Sequence, residues 1–211
     1  MTPRPPSHRR RPTRRPATIL GLTLLAIAIV GCAPGTAPEE TVYRLEATPD
    51  PSADPPRGSV EVQSPRVAGA LAGSLGLRVV YQGAVIRVDE VPGGRWEDPP
   101  AEAMERTLRS VFLPRPDAAP DGPRWRLSWS VDRVEAVVPA GAVDPTETRV
   151  VLTWSLRRDR DREDRAAGSV REQATVPADA ALPDLVLAFN QAVTRALARL
   201  VAEVTTATRA P

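Results

Sequence analysis

The stretch Arg124-Trp125-Arg126-Leu127-Ser128-Trp129-Ser130-Val131-Asp132 decides the fold. Trp125, Leu127, Trp129 and Val131 fall on one side of an extended chain, and Arg126, Ser128, Ser130 and Asp132 fall on the other. Such alternation marks a strand with one buried and one wet face, and residues 132–138 continue it. Residues 149–157 repeat the pattern with Val150, Leu152, Trp154 and Leu156 on one side, and residues 168–176 return as an antiparallel partner. Between these two runs lies Arg158-Asp159-Arg160-Asp161-Arg162-Glu163-Asp164-Arg165. Asp159, Asp161 and Glu163 have the spacing that opens a calcium loop, but arginines alternate with them and no glycine stands where such a loop turns sharply. The run therefore reads as a hairpin tip whose charges neutralise one another, and no metal is assigned.

Upstream, residues 41–47 and 59–63 read as strands, and residues 77–81 and 84–88 as a hairpin about Gln82-Gly83. Arg95-Trp96 follows a flexible Pro92-Gly93-Gly94. Asp98-Pro99-Pro100 then makes a helix start, with Asp98 as N-cap. Ala101, Met104, Leu108, Val111 and Phe112 mark one face of that helix. The longest helical pattern closes the chain over residues 182–205, with Leu185, Phe189, Ala192, Val193, Ala196, Leu200 and Val204 as a wide apolar stripe. The order predicts an α+β chain, a single two-layer domain with a mainly antiparallel sheet and two principal helices packed on one face. Packing of part of the stripe on a second subunit, a homo-oligomer, is the alternative.

The chain starts with Arg4, Arg9, Arg10, Arg11, Arg14 and Arg15 and has no acidic residue before Cys32. The apolar segment 17–31 is shorter than the roughly 20 residues of a membrane span and has the length of a secretory h-region. It closes on Ile29-Val30-Gly31-Cys32, which resembles the bacterial lipobox. That resemblance implies cleavage between Gly31 and Cys32, with a diacylglycerol on the Cys32 sulfur and an N-acyl chain on the new amino group. Two or three acyl chains make an effectively permanent anchor. The expected organisation is a lipoprotein signal peptide over 1–31, a lipidated tether over 32–40 and a folded domain over 41–211. Neither Ala33 nor Pro34 is acidic, so the inner-membrane retention signal is not present, which favours the periplasmic face of the outer membrane.

Six of the 28 basic residues precede Cys32, which leaves 22 against 26 acidic residues and a formal charge of −4 on the mature chain. A nucleic-acid partner loses its main support. Every basic side chain is an arginine, and the single histidine, His8, leaves with the signal. Without histidine, lysine or a free thiol, the mature chain cannot build a Ser/His/Asp triad, a Cys/His dyad or a histidine or thiolate metal site. Only carboxylate chemistry is left, and no carboxylate pair has a spacing that argues for hydrolysis. The chain is read as no enzyme and as needing no cofactor beyond the covalent lipid.

These pieces together resemble the ABC-type transport auxiliary lipoprotein (PqiC-like) family. The residues that carry the likeness are Cys32, Tyr43-Arg44-Leu45, Val60-Glu61-Val62 leading to Pro65, the 77–81 and 84–88 pair, Arg95-Trp96 before Pro99-Pro100, the two alternating strands with Trp154, and the closing helix. Where the family usually has an aromatic residue before the Arg-Trp pair, this chain has Val91-Pro92-Gly93-Gly94. The resemblance implies a non-catalytic lipoprotein that works with an ABC transporter and docks its mammalian-cell-entry (MCE) protein in lipid traffic between inner and outer membranes. A lipoprotein that binds lipid itself, or that activates a cell-wall synthase, is the alternative. Arg95 and Trp96 are the candidate partner-binding pair, since Arg and Trp are typical interface anchors. The competing reading puts Trp96 in the core and Arg95 in an ion pair.

Overall fold

In the computed structural model, described residues are 40–48, 56–69, 71–113, 122–160 and 164–210. The alternating stretch forms the longest strand, which organises the sheet. In chain order the elements are β1 (Thr41–Tyr43), β2 (Ser59–Val62), β3 (Arg66–Val67), β4 (Gly76–Tyr81), β5 (Arg87–Trp96), α1 (Pro100–Val111), β6 (Arg124–Val138), β7 (Glu147–Arg158), β8 (Ala166–Thr175) and α2 (Leu182–Arg209).

The strands make one mixed sheet in the order β1-β5-β4-β6-β7-β8, with β2 and β3 also on β6. The long pairings of β6 with β7 and β7 with β8 are antiparallel, as expected. The edge of β6 away from β7 is shared: β2, β3 and β4 pair with it in succession, all parallel. β1 adds a further short parallel pairing to β5. Parallel neighbours need long crossovers, so periodicity within a strand carries no sign of them.

The apolar face of β6 packs with that of β7 and with both helices in one core, where Leu127, Leu152, Leu156, Met104, Leu108, Phe189, Leu197 and Leu200 are fully buried. α2 supplies the expected alanine-rich stripe, which lets it approach β7 and β8 closely. By length and composition α2 could cross a bilayer, but its stripe is used against the sheet. Thr148 anchors the start of β7 to this helix by donating its hydroxyl to the Ala188 carbonyl at 3.1 Å. Gly168 on β8 leaves room for the Trp154 indole, which a Cβ there would meet at 2.8 Å. Trp154 Nε1 donates to Glu203 on α2 at 2.9 Å.

Several local expectations are corrected. β1 stops at Tyr43 rather than continuing to 47, and α2 runs on to Arg209. The helix cap at α1 is Pro99, with no side-chain bond, while the Asp98 carboxylate pairs with Arg106 instead. The hairpin turn is wider than Gln82-Gly83, for β4 ends at Tyr81 and β5 starts at Arg87, so Val85 and Ile86 leave the ladder. Finally, Arg95 and Trp96 do not follow a loop but end β5, which includes Pro92, Gly93 and Gly94. The register explains how: β4 pairs with residues 87–90 and again at Arg95, and β1 pairs only from Gly94. Pro92 lies in the unpaired bulge, where its missing N–H costs no ladder bond.

Candidate functional site

The Arg95-Trp96 pair is divided by the strand that carries it, since neighbouring side chains on a strand point to opposite faces. Trp96 is 1% exposed and meets the Phe189 ring edge-on, with centroids 5.5 Å apart and planes at 87°. It belongs to the core and offers a partner no surface. Arg95 points outward, 41% exposed, and its Nε lies 3.0 Å from Glu40 Oε2. Gly31 and Cys32, the cleavage and lipidation residues, lie outside the described residues.

A different feature emerges where β4, β6 and β8 end and β5, β7 and α2 begin. Tyr81 stands opposite both Val138 and Arg87, and Glu147 opposite Thr175, so loops 82–86, 139–146 and 176–181 gather at one end of the sheet. The three most exposed large apolar side chains among the described residues are all here: Val143 at 84%, Val85 at 81% and Ile86 at 71%. Sequence reading missed them because Val85 and Ile86 passed for strand residues and Val143 sat in an unremarked loop. The available signal was aliphatic residues between turn-forming glycines and prolines, in Gln82-Gly83-Ala84-Val85-Ile86 and Pro139-Ala140-Gly141-Ala142-Val143.

Beneath these loops a cleft of about 190 Å³ is lined by Tyr81, Val91, Pro92, Val143, Leu182 and Leu185 among others. Leu182 is in turn packed tightly on β5, since a Cβ on Gly94 would meet its side chain at 2.7 Å. At its rim the Arg87 guanidinium lies 4.3 Å from the centre of the Tyr81 ring and its Nε 2.8 Å from Asp89. Ligand pockets usually enclose roughly 300–1,000 Å³, so the cleft is small for a lipid molecule.

The perturbed charges lie elsewhere. Arg44 and Glu97 form a two-bond pair at 2.6 and 3.1 Å, which holds the Glu97 carboxyl below and the Arg44 guanidinium above their ordinary values. On α2, Arg199 is raised by its bonds to Glu203 and then Glu172. Both pairs are exposed; Arg44 and Glu97 border an open cleft together with Asp98 and Arg106. Among the described residues no group of three histidine, cysteine or acidic side chains could hold a metal.

No family model matches this chain, and no curated protein matches it. Among solved structures, a protein from Xanthomonas campestris described with the family model DUF330 is similar over 79% of this chain and 95% of its own, with a TM-score of 0.65 at 20% identity. A second, described only as an uncharacterized protein, is similar over 79% and 99%, with a TM-score of 0.56 at 15% identity. At these identities the likeness shows a shared fold.

Proposed function

We propose that the chain is a lipid-anchored, non-catalytic lipoprotein of the cell envelope that serves as auxiliary component of an ABC/MCE-type lipid transport system between inner and outer membranes. The observation that carries the anchor is the N-terminal order: six arginines, an apolar run of h-region length, then Ile29-Val30-Gly31-Cys32. Diacylglycerol and an N-acyl chain on Cys32 then hold the domain at the periplasmic face of the outer membrane. What supports the transport role is the sequence resemblance to the PqiC-like family together with a fold shared with a DUF330 protein. A chain whose mature part has no histidine, lysine or free thiol suits docking an MCE-domain protein better than turnover. A lipoprotein that binds lipid itself is the alternative, and the cleft beneath the apolar loops is small for that role.

Two measurements test the proposal in separate steps. Cys32→Ser should move the protein out of the membrane fraction while leaving its circular dichroism and melting unchanged; a variant that stays in the membrane and active removes the anchor. Crosslinking and pull-down of the acylated protein from native membranes should recover an MCE-domain protein. Recovery of a peptidoglycan synthase in its place would replace the transport role with activation of cell-wall synthesis.

A further inference from the structure

We infer that the apolar end of the sheet is a second membrane contact, seated in the same lipid surface that holds the acyl chains of Cys32; this rests on the lipid-anchor reading above. Val85 and Ile86 on loop 82–86 and Val143 on loop 139–146, which also borders the cleft, leave most of their apolar surface in solvent at one end of the sheet. Loops 82–86 and 139–146 have only one charged residue between them, Asp144, and loop 176–181 has only Asp179. Behind the tips, Arg87 stacks on Tyr81. An aromatic ring and a long cationic side chain at that depth suit the headgroup layer, with the aliphatic tips below it.

The direction and length of the preceding chain choose lipid over a protein occupant. β1 runs parallel to β5, with Thr41 opposite Gly94 and Tyr43 opposite Trp96, and β5 runs away from the apolar end. Glu40 therefore enters β1 from the side of these loops. The nine residue steps from Cys32 to Thr41 can span at most about 30–32 Å. The ladder from Gly76 to Tyr81, which measures the way back to the loops, is about 17 Å long. In the other direction, from the level of Val134 to that of Trp125, the sheet extends about 30 Å. The tether is thus long enough for Cys32 to reach the level of Val85 and Val143 in the direction from which β1 is entered, and would need its whole length after a reversal to reach the level of Trp125. In this arrangement the apolar loops face the membrane, and the opposite end of the sheet, where Trp125 pairs with Arg158, faces away from it.

The test uses the full acylated protein. Its only cysteine is Cys32, whose sulfur is occupied once acylated, so an added cysteine is the single thiol open to a fluorescent label. Val85→Cys and Val143→Cys report the apolar end, and Asp164→Cys the charged end. Each is reconstituted into vesicles of phosphatidylethanolamine and phosphatidylglycerol that carry a spin label in the acyl chain. Quenching at Val85→Cys and Val143→Cys several-fold above that at Asp164→Cys is the expected result, unchanged by added salt because the contact is apolar. Equal quenching at all three positions, with Cys32 acylated by intact mass, overturns the second contact and leaves the anchor standing. Crosslinking from Val143 into a protein in native envelopes would then make this end a protein interface. An unacylated Cys32 with protein absent from the vesicles overturns both readings.

Discussion

Where β6 begins and β7 finishes, Trp125 is 5% exposed, its Nε1 donating to the Arg57 carbonyl at 2.8 Å, and the connecting hairpin is entirely charged. Where β6 finishes and β7 begins, Val85, Ile86 and Val143 stand in solvent and charge is nearly absent from the loops. One sheet, with one continuous core, is thus finished by opposite chemistry at its two ends. The first arrangement is what a soluble domain does unaided: apolar area worth about 25 cal/mol per Å² goes inside and charge goes out. The second leaves that free energy unrealised until another apolar phase covers the loops. Composition over the whole chain averages these ends and hides the difference.

Substitutions at the two ends should separate buried from waiting apolar surface. Trp125→Ala should cost about 3–5 kcal/mol, since it opens a cavity in the core and leaves the Arg57 carbonyl unpaired. Urea unfolding would show it as a lowered midpoint at unchanged slope. Thr148→Val, close to the apolar end but inside it, should cost about 0.5–1.5 kcal/mol for the hydroxyl bond to Ala188. Val143→Asp should change stability by less than about 0.5 kcal/mol, yet reduce the lipid quenching read from Val85→Cys. A large stability loss in Val143→Asp would mean that the side chain is structural and would dissolve the contrast between the ends.

The legibility of the fold follows the same division. Residues 124–132, 149–157 and 182–205 could be read because each has one buried face, and burial imposes a period on the sequence. β5 could not be read as one strand, because Val91, Pro92 and Gly93 lie where neither β4 nor β1 pairs with them, so nothing there selects against proline and glycine. The two residues of β3 are too few to show any period. The parallel pairing of β2, β3 and β4 along one edge of β6 depends on partners far apart in the chain. Of the site, Cys32 was legible because its signal is local and covalent, whereas Arg95 and Trp96 were separated by the pleat of a strand that looked like a loop. The apolar loops escaped because exposure is a property of the folded end, and an exposed valine is spelled the same way as a buried one.

The smallest expected effect sharpens the comparison from the charged side. Glu97 and Arg44 are joined by two hydrogen bonds, yet both are exposed, so salt and water screen most of their attraction. The pairing holds the Glu97 carboxyl below its ordinary value of 4.5, first through the bond from Arg44 and then through its charge. The folded state therefore binds a proton less readily there than the unfolded chain does. The contribution to stability is fully present above 4.5 and is lost as pH falls through the lower, folded value. Arg44→Gln should remove this component, so that its melting temperature and that of the parent converge in acid and separate slightly at neutral pH. High salt should close the gap at neutral pH. Quenching at Val85→Cys should not respond to salt or to Arg44→Gln, because loop 82–86, which carries the label, has no ionisable group. If salt or Arg44→Gln moved both readouts together, the two sites would be coupled through the sheet, and their chemistry could not be treated as independent.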